Sequence, residues 1–195
     1  LGCGGDPDLG RQCIESAKRA MCKQLDEAEV VLMVAGMGGG LGTGAAPALA
    51  RIASAEGALV LGLALMPFDC EGRRRMDQAR AGLAQLREAA DAVICLPNQY
   101  VLELHGEDKS AQETFEAANA LVMEGVLGIG RLLRADGLLT AGLADLRAVL
   151  SERHGGSVLG AAEAEGRQRH RELLDQLCAH PFMENGKVLN LHCEY

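Results

Sequence analysis

The segment GMGGGLGTGAAP, residues 36–47, has glycine at six of its first nine positions and follows directly on the apolar run VVLMVA, residues 30–35. Each glycine in a regular element costs roughly 0.5–1 kcal/mol relative to alanine, so this density needs a backbone that other atoms must approach closely. The preceding run is short, β-branched and bounded by glycine, the pattern of a buried parallel strand. A parallel strand that enters a glycine loop and then a helix sets main-chain amides and a helix amino end at the carboxyl edge of a sheet, where they can cradle an anion. A phosphate ligand touched by the main chain is the expectation, with a ligand-free glycine turn as the alternative.

The rest of the chain keeps the same rhythm. Asp6 followed by Pro7 reads as a helix cap with proline in the first turn, and Leu9, Cys13, Ala17, Ala20, Met21 and Leu25 recur near helical spacing, which predicts one helix over 7–27. Helices are predicted at 46–55, 73–89 and 110–134, and buried strands at 58–66 and 92–96. Glycines 125, 128 and 130 suggest close packing along the long helix. Beyond residue 137 the pattern predicts a helix at 143–153, a strand at 157–161 and a helix at 166–180. Alternating strands and helices imply an α/β fold, a parallel sheet with helices on both faces.

Composition narrows the function classes. A net charge of −8 leaves no general basic face, so binding to nucleic acid or to an anionic membrane is not expected. The seven cysteines are scattered without a C-x-x-C, which argues against a zinc ribbon or a disulfide framework and makes a reducing cytoplasm the default. The five histidines show no ligand spacing with cysteine or acid, so no metal site is expected. No apolar run is long enough to insert directly into a membrane, and no signal peptide opens the chain. Gly40, Gly42 and Ala45 fit the dinucleotide pattern G-x-G-x-x-A, but the acid that should end the next strand is absent from residues 61–68.

GMGGGLGTGAAP resembles the G-G-G-T-G-T-G signature of the tubulin/FtsZ family, and five further stretches resemble the bacterial FtsZ branch in order along the chain. LGCGGDP is similar to its earlier phosphate-side loop, MPFDCEGRRRMDQA to its K-P-F-x-F-E-G-x-R-R segment, and ICLPNQYVLEL to its I-P-N-D-x-L-L segment. TFEAANALV resembles the start of its central helix, and GLLTAGLADLRAVL the loop that follows that helix. The resemblance implies a parallel-sheet nucleotide-binding domain of tubulin/FtsZ type over 1–134 that ends in the central helix, then the start of a second α+β domain over 137–195. It also implies that the family's first strand and G-G-G-G-G-N loop precede Leu1.

Carried over position by position, the resemblance makes the ligand GTP or GDP, with Mg2+ as a candidate companion. Gly39, Gly40, Leu41, Gly42, Thr43 and Gly44 would line the phosphates, with Gly4 and Gly5 closing on the terminal one. Glu71 and Arg75 match the pair that contacts ribose and phosphate, whereas Arg73 and Arg74 read as solvated. Asn98 and Asn119 match positions that read guanine, whose edge suits an amide's donor and acceptor, and Phe115 matches the residue packed on the base. On residue type alone Phe115 reads as core. Valine at Gly42 is expected to disturb the ligand before it disturbs the fold.

Three departures bear on catalysis. Leu41 stands where the family carries a second threonine, and Thr140 and Gly142 stand where it carries an asparagine and an aspartate. Asp145 is the remaining carboxylate of that loop, which in the family reaches the nucleotide of the next subunit to polarise the attacking water; read alone, it is a helix-cap aspartate. The resemblance thus implies a GTPase that self-associates into head-to-tail filaments, works in the cytoplasm at the division site and meets other division-machinery proteins. A slowly hydrolysing scaffold or filament regulator is the alternative.

Overall fold

The computed structural model describes residues 2–105, 110–134, 142–150, 160, 162–180 and 183. These divide into two units, one drawn from residues 1–99 and 142–157, the other from 100–141 and 158–195.

The first unit opens with α1 (Pro7–Ser16) and α2 (Lys18–Leu25) in place of the single helix predicted over 7–27. Asp6 caps α1 as expected, its carboxylate accepting the Asp8 N–H at 2.9 Å. The helix breaks at Ala17, where the Ser16 hydroxyl donates back to Gln12 O at 2.7 Å and the Ala17 N–H is shared between Cys13 O and Ile14 O, both at 3.1 Å. Back-bonding serine bends helices, and apolar periodicity does not reveal it.

Strands β1 (Val30–Gly36), β2 (Leu59–Met66) and β3 (Ala92–Pro97) form a parallel sheet in that order, with Val30 opposite Leu59 and Leu61 opposite Ala92. Because the order steps in one direction, right-handed crossovers bring both connecting helices, α3 (Ala46–Ala55) and α4 (Arg73–Ala89), to the same face. There Met33, Ala35, Val60, Ala64 and Val93 of the strands pack with Ala46, Ala50 and Ala53 of α3 and Ala79, Leu83 and Leu86 of α4. Alanine supplies much of this contact, so the helices lie close to the sheet. Gly62 completes the fit: a Cβ there would come within 3.3 Å of Leu86 Cδ2. Helix α3 ends in a Schellman motif, with Gly57 at φ +89° donating to Ser54 O and Ala58 to Ala53 O, both at 3.1 Å. On the opposite face of β1, Val34 is 52% exposed.

Helix α5 (Asn98–His105) follows β3 directly, and α6 (Ala111–Arg134) is the predicted long helix. Helix α7 (Leu143–Leu150) is part of the first unit; Arg147 on it donates to Gly57 O at 3.0 Å and to Glu29 O at 3.4 Å. In the second unit α6 buries Thr114, Ala118, Val122 and Ile129, and α8 (Arg169–Ala179) lies within the predicted 166–180. Arg131 pairs there with Glu163, and His180 Nε2 lies 3.7 Å from Glu124. Close packing is not found at Gly130, where a Cβ would meet no atom within 4 Å. Thr140 and the tail 187–195 lie outside the described residues, as does the predicted strand 157–161 apart from Gly160, which is not in a strand. Among the described residues no helix is long and apolar enough to cross a membrane.

Candidate nucleotide site

The glycine loop leaves β1 at its carboxyl end, the Met37 N–H extending the ladder to Leu65 O at 2.8 Å. Gly38 then turns at φ +92°, and Leu41–Ala45 form one π-helical turn that runs into α3. Single π turns recur at functional sites. The Gly38 N–H is taken by Thr43 Oγ1 at 2.8 Å, and Thr43 N donates to Gly39 O at 3.2 Å. Gly40, Leu41 and Gly42 form the amino end of this helical turn, where the first N–H groups have no preceding turn to donate to.

The glycines divide into two kinds. A Cβ at Gly42 would overlap Gly36 O, one at Gly44 would overlap Pro7 O, and one at Gly40 would lie 2.6 Å from Asp6 O. Gly10 repeats the pattern from the other side, since its Cβ would overlap Gly40 O. These four residues let the loop, the end of β1 and the amino end of α1 press backbone against backbone. Gly39 is different, for a Cβ there would meet nothing within 4 Å. The expectation that Gly42 opens space for a ligand is therefore corrected: its missing side chain makes room for the strand's own carbonyl.

Thr43 has a structural part in the same loop. It is 4% exposed, holds Gly38 through its hydroxyl, and packs its methyl where Gly82 of α4 has no side chain. Removing that acceptor strands a buried N–H, so Thr43→Val is expected to cost about 1–3 kcal/mol in chemical denaturation. Leu41, by contrast, projects outward at 59% exposure.

The second loop lies alongside. Gly4 and Gly5 adopt φ +54° and +81°, closed by the Asp6 N–H to Cys3 O at 2.8 Å, and a Cβ at either would meet nothing within 4 Å. Burial and the neighbouring Cys13 and Asp6 push the Cys3 thiol above its ordinary range, which keeps it protonated and weakly nucleophilic near neutrality. The Gln78 side chain spans both loops, Nε2 donating to Gly5 O at 2.9 Å and to Gly38 O at 3.0 Å. Motif matching passed over Gln78; its place on the same face of α4 as Arg75, three residues on, was the available signal.

Glu71 accepts the Phe68 N–H at 2.7 Å and pairs with Arg75 Nε at 3.0 Å. The Arg75 stem packs against Gly38, whose Cβ would sit 2.7 Å from Arg75 Cγ. The pair thus stands beside the cradle, while Arg73 and Arg74 are exposed. Asn98, at the carboxyl end of β3, is 7% exposed, and its buried Oδ1 has no hydrogen-bond partner among the described residues. An unsatisfied buried acceptor costs about 1–3 kcal/mol, which fits a position waiting for a donor. In the second unit Phe115 is 48% exposed, not core, and Asn119 is exposed one turn further along α6.

Asp145 accepts the Gly142 N–H at 2.9 Å, and Leu146 N donates to Gly142 O at 3.1 Å. Its carboxylate therefore closes the first turn of α7 from the N3 position. Among the described residues no group of three or more His, Cys, Asp or Glu could hold a metal ion.

A parallel sheet whose first strand ends in a glycine cradle at a helix amino end defines an α/β nucleotide-binding domain. Residues 1–106 match the pattern described as "Tubulin/FtsZ family, GTPase domain", and the chain belongs to that family. It is 37% identical over 185 residues to the cell division protein FtsZ of Coxiella burnetii, a match covering 95% of this chain and 48% of that protein. Among solved structures it is similar to the empty FtsZ dimer of M. jannaschii, with a TM-score of 0.83, 29% identity, and coverage of 93% of this chain and 52% of that one. It is also similar to CetZ2 of Haloferax volcanii in a GTPγS-bound protofilament, with a TM-score of 0.57, 33% identity, and coverage of 64% and 38%. The chain thus spans about half the length of the relatives it matches.

Proposed function

We propose that the protein binds GTP in the glycine cradle, assembles head to tail, and hydrolyses GTP where the α7 end of one copy meets the cradle of the next. The carrying observation is the placement of the two sites on one sheet. Arg147 ties α7 to the residues that precede β1 and β2, at the amino ends of the strands, whereas the cradle leaves the carboxyl end of β1. The seven residues of β1 separate them by roughly 20 Å at ~3.3 Å per residue. Asp145 therefore cannot serve its own cradle, but it can serve that of a second copy stacked along the same axis. The similar structures agree in kind, one FtsZ being a dimer and one CetZ a GTPγS-bound protofilament.

In this reading the backbone from Gly39 through Gly40, Leu41, Gly42 and Thr43 to Gly44 lines the phosphates, Gly4 and Gly5 close over the terminal one, and Arg75 with Glu71 borders the ribose. Asn98 and Asn119 read the guanine edge and Phe115 stacks on its face. A Mg2+ ion bound with the nucleotide would take ligands from phosphate oxygens and water. Binding belongs to residues 1–134 and interfacial catalysis to 137–195. A part in cell division, in the cytoplasm and in contact with other division proteins, is the role proposed by analogy with the FtsZ relative. Hydrolysis is slow in this reading, because Gly142 carries no carboxylate and that of Asp145 is engaged in capping α7.

Base selectivity tests the assignment. In a competition titration GTP should outcompete ATP by about tenfold or more, and Asn119→Leu, on an exposed helix face, should weaken GTP binding with the thermal midpoint unchanged. Equal affinity for the two nucleotides would remove guanine recognition from the proposal.

A further inference from the structure

The neutral side chain of Gln78 joins two loops that the sequence keeps 73 and 40 residues away from it. Both protons of its amide nitrogen are committed to main-chain carbonyls, one on each loop. The Gly4–Gly5 turn has few other restraints: one internal bond from Asp6 to Cys3, and the abutment of Asp6 on Gly40. The Cβ positions of both its glycines face open space, whereas the Gly5 carbonyl is tied to α4 through Gln78. Asp6 fixes the foot of this turn against Gly40, and Gln78 is the side chain that ties its Gly5 carbonyl to α4.

We propose that Gln78 is the positioning residue that sets how closely the Gly4–Gly5 turn approaches the terminal phosphate, and thereby the preference for a nucleoside triphosphate over the diphosphate. This rests on the assignment of the two glycine loops to phosphate binding. A diphosphate engages the main cradle and leaves the turn without a ligand, so loosening the turn penalises the triphosphate selectively. An acceptor in place of the amide would face two carbonyl oxygens, so the position requires donors.

The test compares Gln78→Met, which keeps the length without donors, with Gln78→Lys, whose ammonium can donate to both carbonyls, in the full-length protein. Equilibrium titration with GTPγS and with GDP gives the ratio of the two dissociation constants. The methionine variant should lose about tenfold in GTPγS affinity and less than about twofold in GDP affinity, and lysine should restore the ratio. A parallel loss of both affinities marks a merely structural role and overturns the proposal. So does an unchanged ratio, a wild-type protein indifferent to the terminal phosphate, or a failure of lysine to restore the preference. A wild-type protein that binds neither nucleotide refutes the phosphate assignment itself; wild-type discrimination that the methionine variant keeps unchanged refutes only the role of Gln78.

Discussion

Valine at position 42 is expected to unfold the first unit, whereas valine at position 39 should leave it folded and empty the proposed nucleotide site. The two glycines stand three residues apart in one loop, and the difference lies in what a side chain would meet. At Gly42 the first carbon added overlaps the carbonyl oxygen of Gly36, where β1 turns into the loop, so neither neighbour can yield without dragging the strand end. Overpacking against fixed backbone costs about 3 kcal/mol or more, a large share of the ~5–15 kcal/mol that holds a domain together. Even Gly42→Ala should lower the denaturant midpoint clearly. Gly39 has neither a positive φ nor an atom within 4 Å of its Cβ position, so valine there projects into the open cradle. Its thermal midpoint should stay within a few degrees of the parent, while guanine nucleotide affinity falls on the order of 100-fold as the branched side chain takes the place of phosphate oxygens. Circular dichroism melts paired with nucleotide titration decide the matter. A folded, nucleotide-binding Gly39→Val protein would mean that the phosphates lie elsewhere.

That contrast also marks how far the sequence could be read. The three strands, α3, α4 and the long α6 came from apolar runs and periodicity, because a buried strand bounded by glycine and a stripe such as Ala79, Leu83, Leu86 leave plain patterns. The break at Ala17 did not, since it depends on where one serine hydroxyl points. The glycine loop announced close approach without saying what approaches. Gly40, Gly42 and Gly44 look alike to Gly39 in the sequence, yet three meet the protein's own backbone and one meets open space. Thr43 matched a phosphate-lining position by resemblance, and no motif shows that its hydroxyl accepts the Gly38 amide. Phe115 went the other way: composition favoured core, and the helix leaves it half exposed. Gln78 and Arg147 act through main-chain carbonyls, which carry no residue identity for a motif to register.

Mixing two inactive variants should restore GTP hydrolysis. Gly39→Val blocks the cradle of a copy but leaves its α7 end intact, whereas Asp145→Asn removes the carboxylate and leaves the cradle open. Asparagine is preferred to alanine because its side-chain oxygen can still accept the Gly142 N–H that starts α7, so the helix keeps its cap while the charge is lost. Each variant alone should hydrolyse GTP at the background rate, since every interface it can form lacks either nucleotide or carboxylate. In an equimolar mixture some interfaces join the nucleotide of an Asp145→Asn copy to the Asp145 of a Gly39→Val copy, and these are competent. Up to about a quarter of the wild-type rate is expected from random pairing of intact sites. The rate should rise faster than linearly with protein concentration, because the active unit is a pair. Aspartate introduced at Gly142 tests the same geometry from the other direction: a Cβ there lies in ordinary contact with Asp145, at 3.7 Å from Oδ2, so the substitution fits and should accelerate hydrolysis by returning a second carboxylate to the loop. Hydrolysis by Asp145→Asn alone at the wild-type rate, or a mixture no more active than its components, would place catalysis within a single copy and remove the reason for the two sites to lie a strand's length apart.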